Sequence, residues 1–226
     1  MIDQILKNSK VIAQELGLEW DVRLETILKF CAESIDLKAF PGTEEKKIDT
    51  STSETLGRYL KPYLKNYFNE RSKLLTFKEV GTTPDKAIDV ILQSFANVDN
   101  LIVVSDHHRK SMAAENLLGG LLERYLDENL DKKEWIWCCG NTVTSVDFLR
   151  SDLSLALQIK NRDNTENSSS SKIRAGTEIS KWYRVSSKTG KTKWEEFPTQ
   201  TTSHLSEEGF YAFIEDYAKR LSYQGE

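Results

Sequence analysis

The spacing of apolar residues predicts helices through the first third of the chain. Apolar positions recur every three to four residues up to residue 31 and again between residues 54 and 72, the pattern of helices with one buried face. Pro41 and Gly42 mark a turn between the two stretches, and residues 43–53 have no periodicity. The stripes are formed by Ile5, Ile12, Leu16, Leu24, Ile27, Leu28, Cys31, Leu56, Tyr59, Leu60, Leu64 and Tyr67.

The rest of the chain mixes one long helix with several strands. Leu118, Leu121, Leu122, Tyr125 and Leu126 form a stripe that predicts a helix over residues 111–128. Alternation and β-forming side chains predict strands, and a Lys-Thr-Gly turn predicts a hairpin. The remaining predicted elements are a helix starting at residues 83–85 with Thr83 as its cap, a short strand or helix start at 101–104, strands at 134–139, 144–150 and 153–161, a hairpin of 181–185 with 192–197, and a helix at 207–221.

This order of elements predicts an α/β protein with a helical N-terminal region. The 226 residues show no internal repeat and no convincing linker, so we expect a single domain over 1–226. Residues 1–95 would form its mainly helical part. Residues 96–226 would form a core with a central mixed β-sheet flanked by helices, carrying a polar loop and hairpin at about 161–197.

Composition excludes several classes of protein. Aromatic residues make up 10% of the chain, too many for a wholly disordered protein. No apolar run approaches the roughly 18 residues that a membrane span needs. Cys31, Cys138 and Cys139 cannot form a disulfide framework, and we expect reduced thiols and a cytoplasmic location. The net charge of −4 argues against a protein that coats nucleic acid by bulk charge.

The third predicted strand carries the clearest candidate chemistry. Side chains alternate along a strand, so Gln158, Lys160 and Arg162 project from one polar face while the odd positions face the core. If an even-length loop joins this strand to the preceding one, Asp147 lies opposite Ala156 and on the face of Gln158. The pattern therefore predicts that Asp147, Gln158 and Lys160 converge.

These groups suit a magnesium-dependent nuclease. Mg²⁺ prefers hard oxygen ligands, and the strand offers the Asp147 carboxylate, the Gln158 amide oxygen and the backbone carbonyl of Ile159. Lys160 would orient or deprotonate the attacking water and offset charge on the phosphate. We therefore expect Asp147, Gln158 and Lys160 to act as the catalytic group.

The long helix offers a second acid. Glu115 lies three and seven positions before Leu118 and Leu122, so helical spacing predicts that it falls on or beside the buried stripe. Glu123 is predicted to face the polar side. An inward carboxylate is costly unless it is paired or metal-bound, which makes Glu115 the candidate fourth metal ligand.

Two resemblances follow from these residues. Asp147, ten intervening residues and then Gln158-Ile159-Lys160 resemble the PD-(D/E)xK nuclease motif, with Gln158 where an acid is usual. The longer string Lys-Asn-Arg-Asp-Asn-Thr-Glu-Asn-Ser-Ser-Ser-Ser at 160–171 resembles, more specifically, the SinI/AvaII-type type II restriction endonucleases, which cut GGWCC. The resemblance covers roughly residues 111–197.

The resemblance implies a fold and an activity. It implies a restriction-endonuclease-like core that acts as a homodimer on double-stranded DNA, cuts within a short palindrome with Mg²⁺ and leaves a 5′-phosphate. It also implies a DNA methyltransferase in the same system, though not as a bound partner. Because an amide binds Mg²⁺ less well than a carboxylate, Gln158 would leave the site more dependent on Asp147 and Glu115.

A basic segment beside the motif predicts where the DNA lies. Residues 160–193 contain nine Lys and Arg against three Asp and Glu, a charge of +6 that leaves −10 for the rest of the chain. Lysine and arginine supply phosphate contacts, whereas Arg and Asn also read guanine and adenine edges. The candidate DNA-binding residues are Arg162, Asn164, Asn167, Ser169, Lys172 and Arg174.

Two other functions remain open at this point. A repair or structure-selective nuclease of the same fold would carry the same motif. A non-catalytic DNA-binding protein would also fit, if Gln158 marks a motif that has lost its activity. Digestion of plasmid DNA with and without Mg²⁺ separates the three.

Overall fold

The computed structural model describes residues 1–43, 48–79, 81, 83, 85–163, 172–174, 177–199 and 204–224. In the described residues the helices come first, the strands follow and one more helix comes last, as the sequence predicts. In these ranges the helices are α1 (Ile2–Glu15), α2 (Val22–Ala32), α3 (Ser53–Ser72), α4 (Lys86–Ala96), α5 (Leu101–Asn129) and α6 (Glu207–Gln224). The strands are β1 (Trp135–Trp137), β2 (Phe148–Arg150), β3 (Ala156–Arg162), β4 (Lys172–Arg174) and β5 (Thr177–Val185).

The N-terminal helices pack on the chain segment that leads into the sheet. The Asp21 side chain caps α2 by accepting the Arg23 amide, and its other oxygen accepts from the Tyr67 hydroxyl of α3 at 2.7 Å. Tyr63 of α3 donates to the carbonyl of Thr142 at 3.0 Å. These contacts fix the helical region to the chain segment just before Asp147, a predicted site residue.

The structure corrects one prediction about the middle of the chain and decides another that the sequence leaves open. Asp85, and not Thr83, caps α4, because the Asp85 side chain accepts the Ala87 amide. Residues 101–104 are the start of α5, whose cap is the Asn100 side chain bonded to the Val103 amide. The long helix therefore begins ten residues earlier than its buried stripe predicts.

The described strands form one mixed sheet in the order β1-β2-β3-β5-β4. β1, β2 and β3 are antiparallel neighbours, while β3 and β5 run parallel. α5 packs across β1 and β3, and α6 packs on α5. The predicted α/β class, with a central mixed sheet flanked by helices and a helical N-terminal region, is confirmed.

The register between β2 and β3 differs by two residues from the predicted one. Leu149, and not Asp147, lies opposite Ala156. The loop has four residues, 151–154, and its turn is closed by the Leu153 amide bonded to the Arg150 carbonyl at 2.9 Å. Because the shift is even, it keeps Asp147 on the predicted face of β3.

The predicted strand at 144–150 and the second strand of the predicted hairpin are shorter than expected. Residues 144–147 are not part of β2, because Val143 to Val146 form a turn in which Ser145 has a φ of 58°. The predicted hairpin has one regular strand only. Thr192 makes a single bridge to Val185, and Trp194–Glu196 is a 3-10 turn. Trp194 and Trp182 pack against each other there and close one end of the core.

Cys31, Cys138 and Cys139 are buried free thiols, as predicted. Among the described residues, no single helix is long and apolar enough to cross a membrane. Only the bent pair of α4 and α5 meets that criterion when both are counted together.

Candidate active site

Asp147 is held between the two strands that flank β2. Its amide donates to the Leu157 carbonyl of β3 at 2.9 Å, and its carbonyl accepts the Cys138 amide at 2.8 Å. Its carboxylate oxygen Oδ2 accepts the amide of Ile159 at 2.6 Å. The carboxylate is therefore fixed against the backbone of β3, between the predicted partners Gln158 and Lys160.

Gln158 and Lys160 occupy the centre of β3. Strand alternation puts both side chains on one face. Gln158 is only 7% exposed, whereas Lys160 is partly exposed. In the parallel neighbour β5 they lie opposite Lys181 and Tyr183. Asp147, Gln158 and Lys160 therefore lie together at the junction of β2 and β3, as the sequence predicts.

The acid of α5 that lies beside Asp147 and Lys160 is Glu123, and the prediction that Glu115 falls on the buried side of the helix is wrong. Glu115 is exposed and lies two turns away, about 12 Å along the helix axis from Glu123. Glu123 is mostly buried, and its Oε2 accepts the indole N–H of Trp137 on β1 at 2.9 Å. Helical spacing assigns Glu123 to the polar side of α5, but β1 and the end of α3 cover that side in the folded protein.

The two acids and Lys160 affect one another electrostatically. Burial and the neighbouring charge of Asp147 together raise the pKa of Glu123 to about 7, against the lowering effect of Lys160. Burial also raises the pKa of Asp147, against the lowering effects of the Ile159 amide and of Lys160. Two desolvated carboxylates near one lysine form a site that favours added positive charge.

The donor set suits a hard divalent cation. Mg²⁺ takes one or two carboxylates and completes its shell with neutral oxygens and water, which matches Asp147, Glu123 and the amide oxygen of Gln158. Within the described ranges, no three Asp, Glu, His or Cys side chains come close enough to hold a metal ion. Glu123 also lines an open pocket of about 360 Å³ between the end of α3 and α5, whose lining includes Glu70 and Arg124.

The structure locates only part of the predicted DNA-binding set. Arg162 is exposed at the end of β3, and Lys172 and Arg174 lie on β4 at the sheet edge. Asn164, Asn167 and Ser169 lie outside the described residues. One cation of the basic segment has another role: Arg184 is buried and bonds Asn161 and Glu207, so it ties β5 to the start of α6.

The chain belongs to the SinI restriction endonuclease family, because the model of that family matches residues 11–220. The family match and the relatives together place the chain in the class of the type II restriction endonucleases, and its fold is consistent with that class.

Two enzymes of this class are similar to the chain over nearly its whole length. It is 36% identical over 227 aligned residues to the type II restriction enzyme Eco47I of Escherichia coli. It is 35% identical over 227 aligned residues to the type II restriction enzyme SinI of Salmonella infantis. Each alignment covers 96% of this chain and 96% of the relative.

Proposed function

We propose that this protein cuts both strands of duplex DNA at GGWCC, with Mg²⁺ as cofactor, and leaves 5′-phosphates. The observation that carries the proposal is the meeting of Asp147, Glu123 and Lys160 where β2, β3 and α5 adjoin. Membership of a restriction endonuclease family supports the reaction class. The sequence resemblance supports the target, the homodimer and the PD-(D/E)xK assignment.

Each residue of the site then has a chemical role. Bound Mg²⁺ would supply Lewis-acid stabilisation of the phosphate and a more acidic water. Asp147 and Glu123 would hold the ion, with the Gln158 amide oxygen and the Ile159 carbonyl as neutral ligands. Lys160 would orient or deprotonate the attacking water and offset the charge that develops on the phosphate. The Ile159 amide keeps Asp147 in place throughout.

Plasmid digestion tests the activity. Purified protein is incubated with supercoiled plasmid that carries a few GGWCC sites, with Mg²⁺ or with EDTA. We expect discrete fragments with Mg²⁺ only. Their ends should map to GGWCC and should be ligated without prior phosphorylation, because they already carry 5′-phosphates. Random nicking would favour a structure-selective nuclease. Binding without any cleavage would favour the non-catalytic alternative.

Two glutamate variants on one helix test the site. Glu123→Gln should lower the cleavage rate about 100-fold or more, because a carboxylate that holds the cation is lost. Glu115→Gln makes the same change at an exposed position and should cleave at the wild-type rate. Asp147→Ala and Lys160→Ala should abolish cleavage while the duplex still binds. The assignment of Glu123 fails if the two glutamine variants cleave equally well.

A further inference from the structure

The helix pair α4 and α5 carries an unusual share of the exposed apolar surface. Of the fourteen large hydrophobic side chains that are exposed in the described residues, seven lie between residues 88 and 104. We call residues 86–104, which are α4 and the first turn of α5, the apolar arm. The seven are Ile88, Val90, Ile91, Phe95, Ile102, Val103 and Val104, with Phe95 84% and Ile102 82% exposed.

α4 is patterned for a partner that the single chain does not supply. Ile88, Ile91 and Phe95 repeat at i, i+3 and i+7, the apolar stripe of a helix that packs on another surface. Yet α4 contains no buried residue. Its eleven residues are too few for a helix to be stable in water by propensity alone. A surface that covers the stripe would supply the missing stabilisation.

The size of the arm matches half of a protein–protein interface. Seven large apolar side chains, at about 100 Å² each, give on the order of 700 Å². The side chains lie on two helices that meet at a bend of 112°, and their summed area exceeds the largest apolar patch of a typical monomer, roughly 300–600 Å². It approaches the roughly 800 Å² that each partner contributes to a stable interface of ordinary size.

The charges near the arm favour a second copy of this chain over a phosphate-bearing surface. Residues 85–110 contain four acidic and three basic side chains, a charge of −1 with histidine neutral. Two of the basic residues, Arg109 and Lys110, already pair with Asp106. Helices that bind anionic lipid or nucleic acid carry an excess of lysine and arginine. A nearly neutral apolar surface suits self-association about a two-fold axis.

We propose that the apolar arms of two copies pack together and form the dimer interface of this protein. The inference rests on the proposed function, because a chain with one described acid–lysine site needs a second copy to cut the second strand. α5 connects the two regions: it runs unbroken from Leu101 in the arm to Glu123 in the site, about 33 Å along the axis. The arm therefore sets the separation of the two sites and contributes no atom to either.

Sedimentation velocity tests the interface without reference to catalysis. Wild-type protein at micromolar concentration should have twice the chain mass of 25.9 kDa. Ile91→Lys combined with Phe95→Lys should be a monomer, since both side chains are more than half exposed in the single chain and neither belongs to the buried core. The control, Val11→Lys with Tyr211→Lys, changes exposed apolar residues on α1 and α6 and should remain a dimer.

Hydrogen exchange supplies a test that needs no substitution. The amides of α4 in the wild-type protein should become better protected as protein concentration rises through the dimerisation range, while those of α1 should not change. A wild-type monomer at all concentrations overturns the proposal. So does an arm variant that stays dimeric, or wild-type protein that is monomeric and sediments with anionic vesicles.

Plasmid cleavage separates this inference from the proposed function. The monomeric arm variant keeps an intact site, so it should convert supercoiled plasmid to nicked circles first and to linear DNA much later. The wild type should produce linear DNA with little nicked intermediate. A dimeric wild type without nuclease activity would refute the proposed function and leave the interface standing. A wild-type monomer that cuts the plasmid would refute the interface and leave the proposed function standing.

Discussion

Glu123 places a buried carboxyl group next to that of Asp147. Its carboxyl is mostly buried beside Asp147, and burial with that neighbouring charge raises its pKa to about 7 from a usual value of 4.5. Between these two pH values the folded protein binds a proton that the unfolded chain does not. Stability from that proton is full below pH 4.5 and is lost as the pH rises toward 7.

Glu123→Gln should therefore stabilise the metal-free protein in a pH-dependent way. A neutral amide keeps the acceptor for the Trp137 indole N–H and removes the buried negative charge. In EDTA at pH 8 we expect a gain on the order of 2 kcal/mol, roughly 4–8 °C in the melting temperature. At pH 4.5 the variant and the wild type should melt together. Thermal unfolding measured at both pH values checks this.

A control variant and the addition of Mg²⁺ show whether the buried charge of Glu123 causes the stabilisation. Glu115→Gln should not change the melting temperature at either pH, because Glu115 is exposed. Added Mg²⁺ should raise the melting temperature of the wild type at pH 8 and have less effect on Glu123→Gln, because a ligand that binds only the folded state stabilises it. A Glu123→Gln gain of equal size at both pH values would contradict the buried-charge explanation.

Some residues of the site can be predicted from spacing along one element, whereas Glu123 depends on how other elements pack on α5. Strand alternation was enough to bring Asp147, Gln158 and Lys160 together, because a face is preserved by any even register shift. The choice between Glu115 and Glu123 depended on what packs on α5. The stripe continues in spacing toward residue 115, but residues 114–116 are exposed, while Trp137 covers the flank that carries Glu123.

At the level of elements, Tyr125 connects α5 to α6: its ring packs on Phe210 and Phe213, and its hydroxyl bonds the residue before α6. Tyr125 on α5 accepts the Ser206 amide at 3.1 Å and donates to the Ser206 carbonyl at 3.2 Å, just before α6 begins. Gly209 allows this approach, because an added Cβ there would lie 2.6 Å from the Tyr125 hydroxyl. The close contact requires glycine at this position of the first turn.

Gly209→Ala should therefore destabilise the protein, although alanine favours helix. The clash with Tyr125 should lower the free energy of unfolding by about 1–3 kcal/mol. Gly119→Ala on α5 is the matched control, because an added Cβ meets nothing within 4 Å there. It should stabilise by up to about 1 kcal/mol through helix propensity. Urea denaturation of both variants measures the difference; equal effects would show that the α5–α6 contact yields easily.

Element boundaries were less predictable than element types. Residues 144–147 have β-forming character, yet a turn through Ser145 delays β2 until Phe148. Residues 101–104 fit strand and helix equally, and the Asn100 cap with the continuous helix behind it decides for helix. In both places the deciding interaction is a turn or a cap that hydrophobic periodicity does not encode.

On the scale of the whole molecule, charge is separated between one segment and the rest. Residues 160–193 carry +6 and the remainder −10. Not all of that segment faces outward, since Arg184 is buried against Glu207. Lys188 and Lys191, by contrast, are exposed in the turn after β5. An acidic body disfavours loose contact with DNA, so phosphate contacts should concentrate in the basic segment.

The salt dependence of DNA binding shows whether the phosphate contacts lie in the basic segment. In an Asp147→Ala background that does not cut, Lys188→Ala with Lys191→Ala should make the slope of log affinity against log salt shallower by about 1–2, because each lost phosphate contact removes roughly 0.9. Affinity for GGWCC and for unrelated duplexes should fall together, since phosphate contacts carry no sequence information. Lys7→Ala with Lys61→Ala removes the same charge from exposed positions of α1 and α3 and should leave the slope unchanged. If both pairs flatten the slope equally, net charge and not the basic segment governs binding.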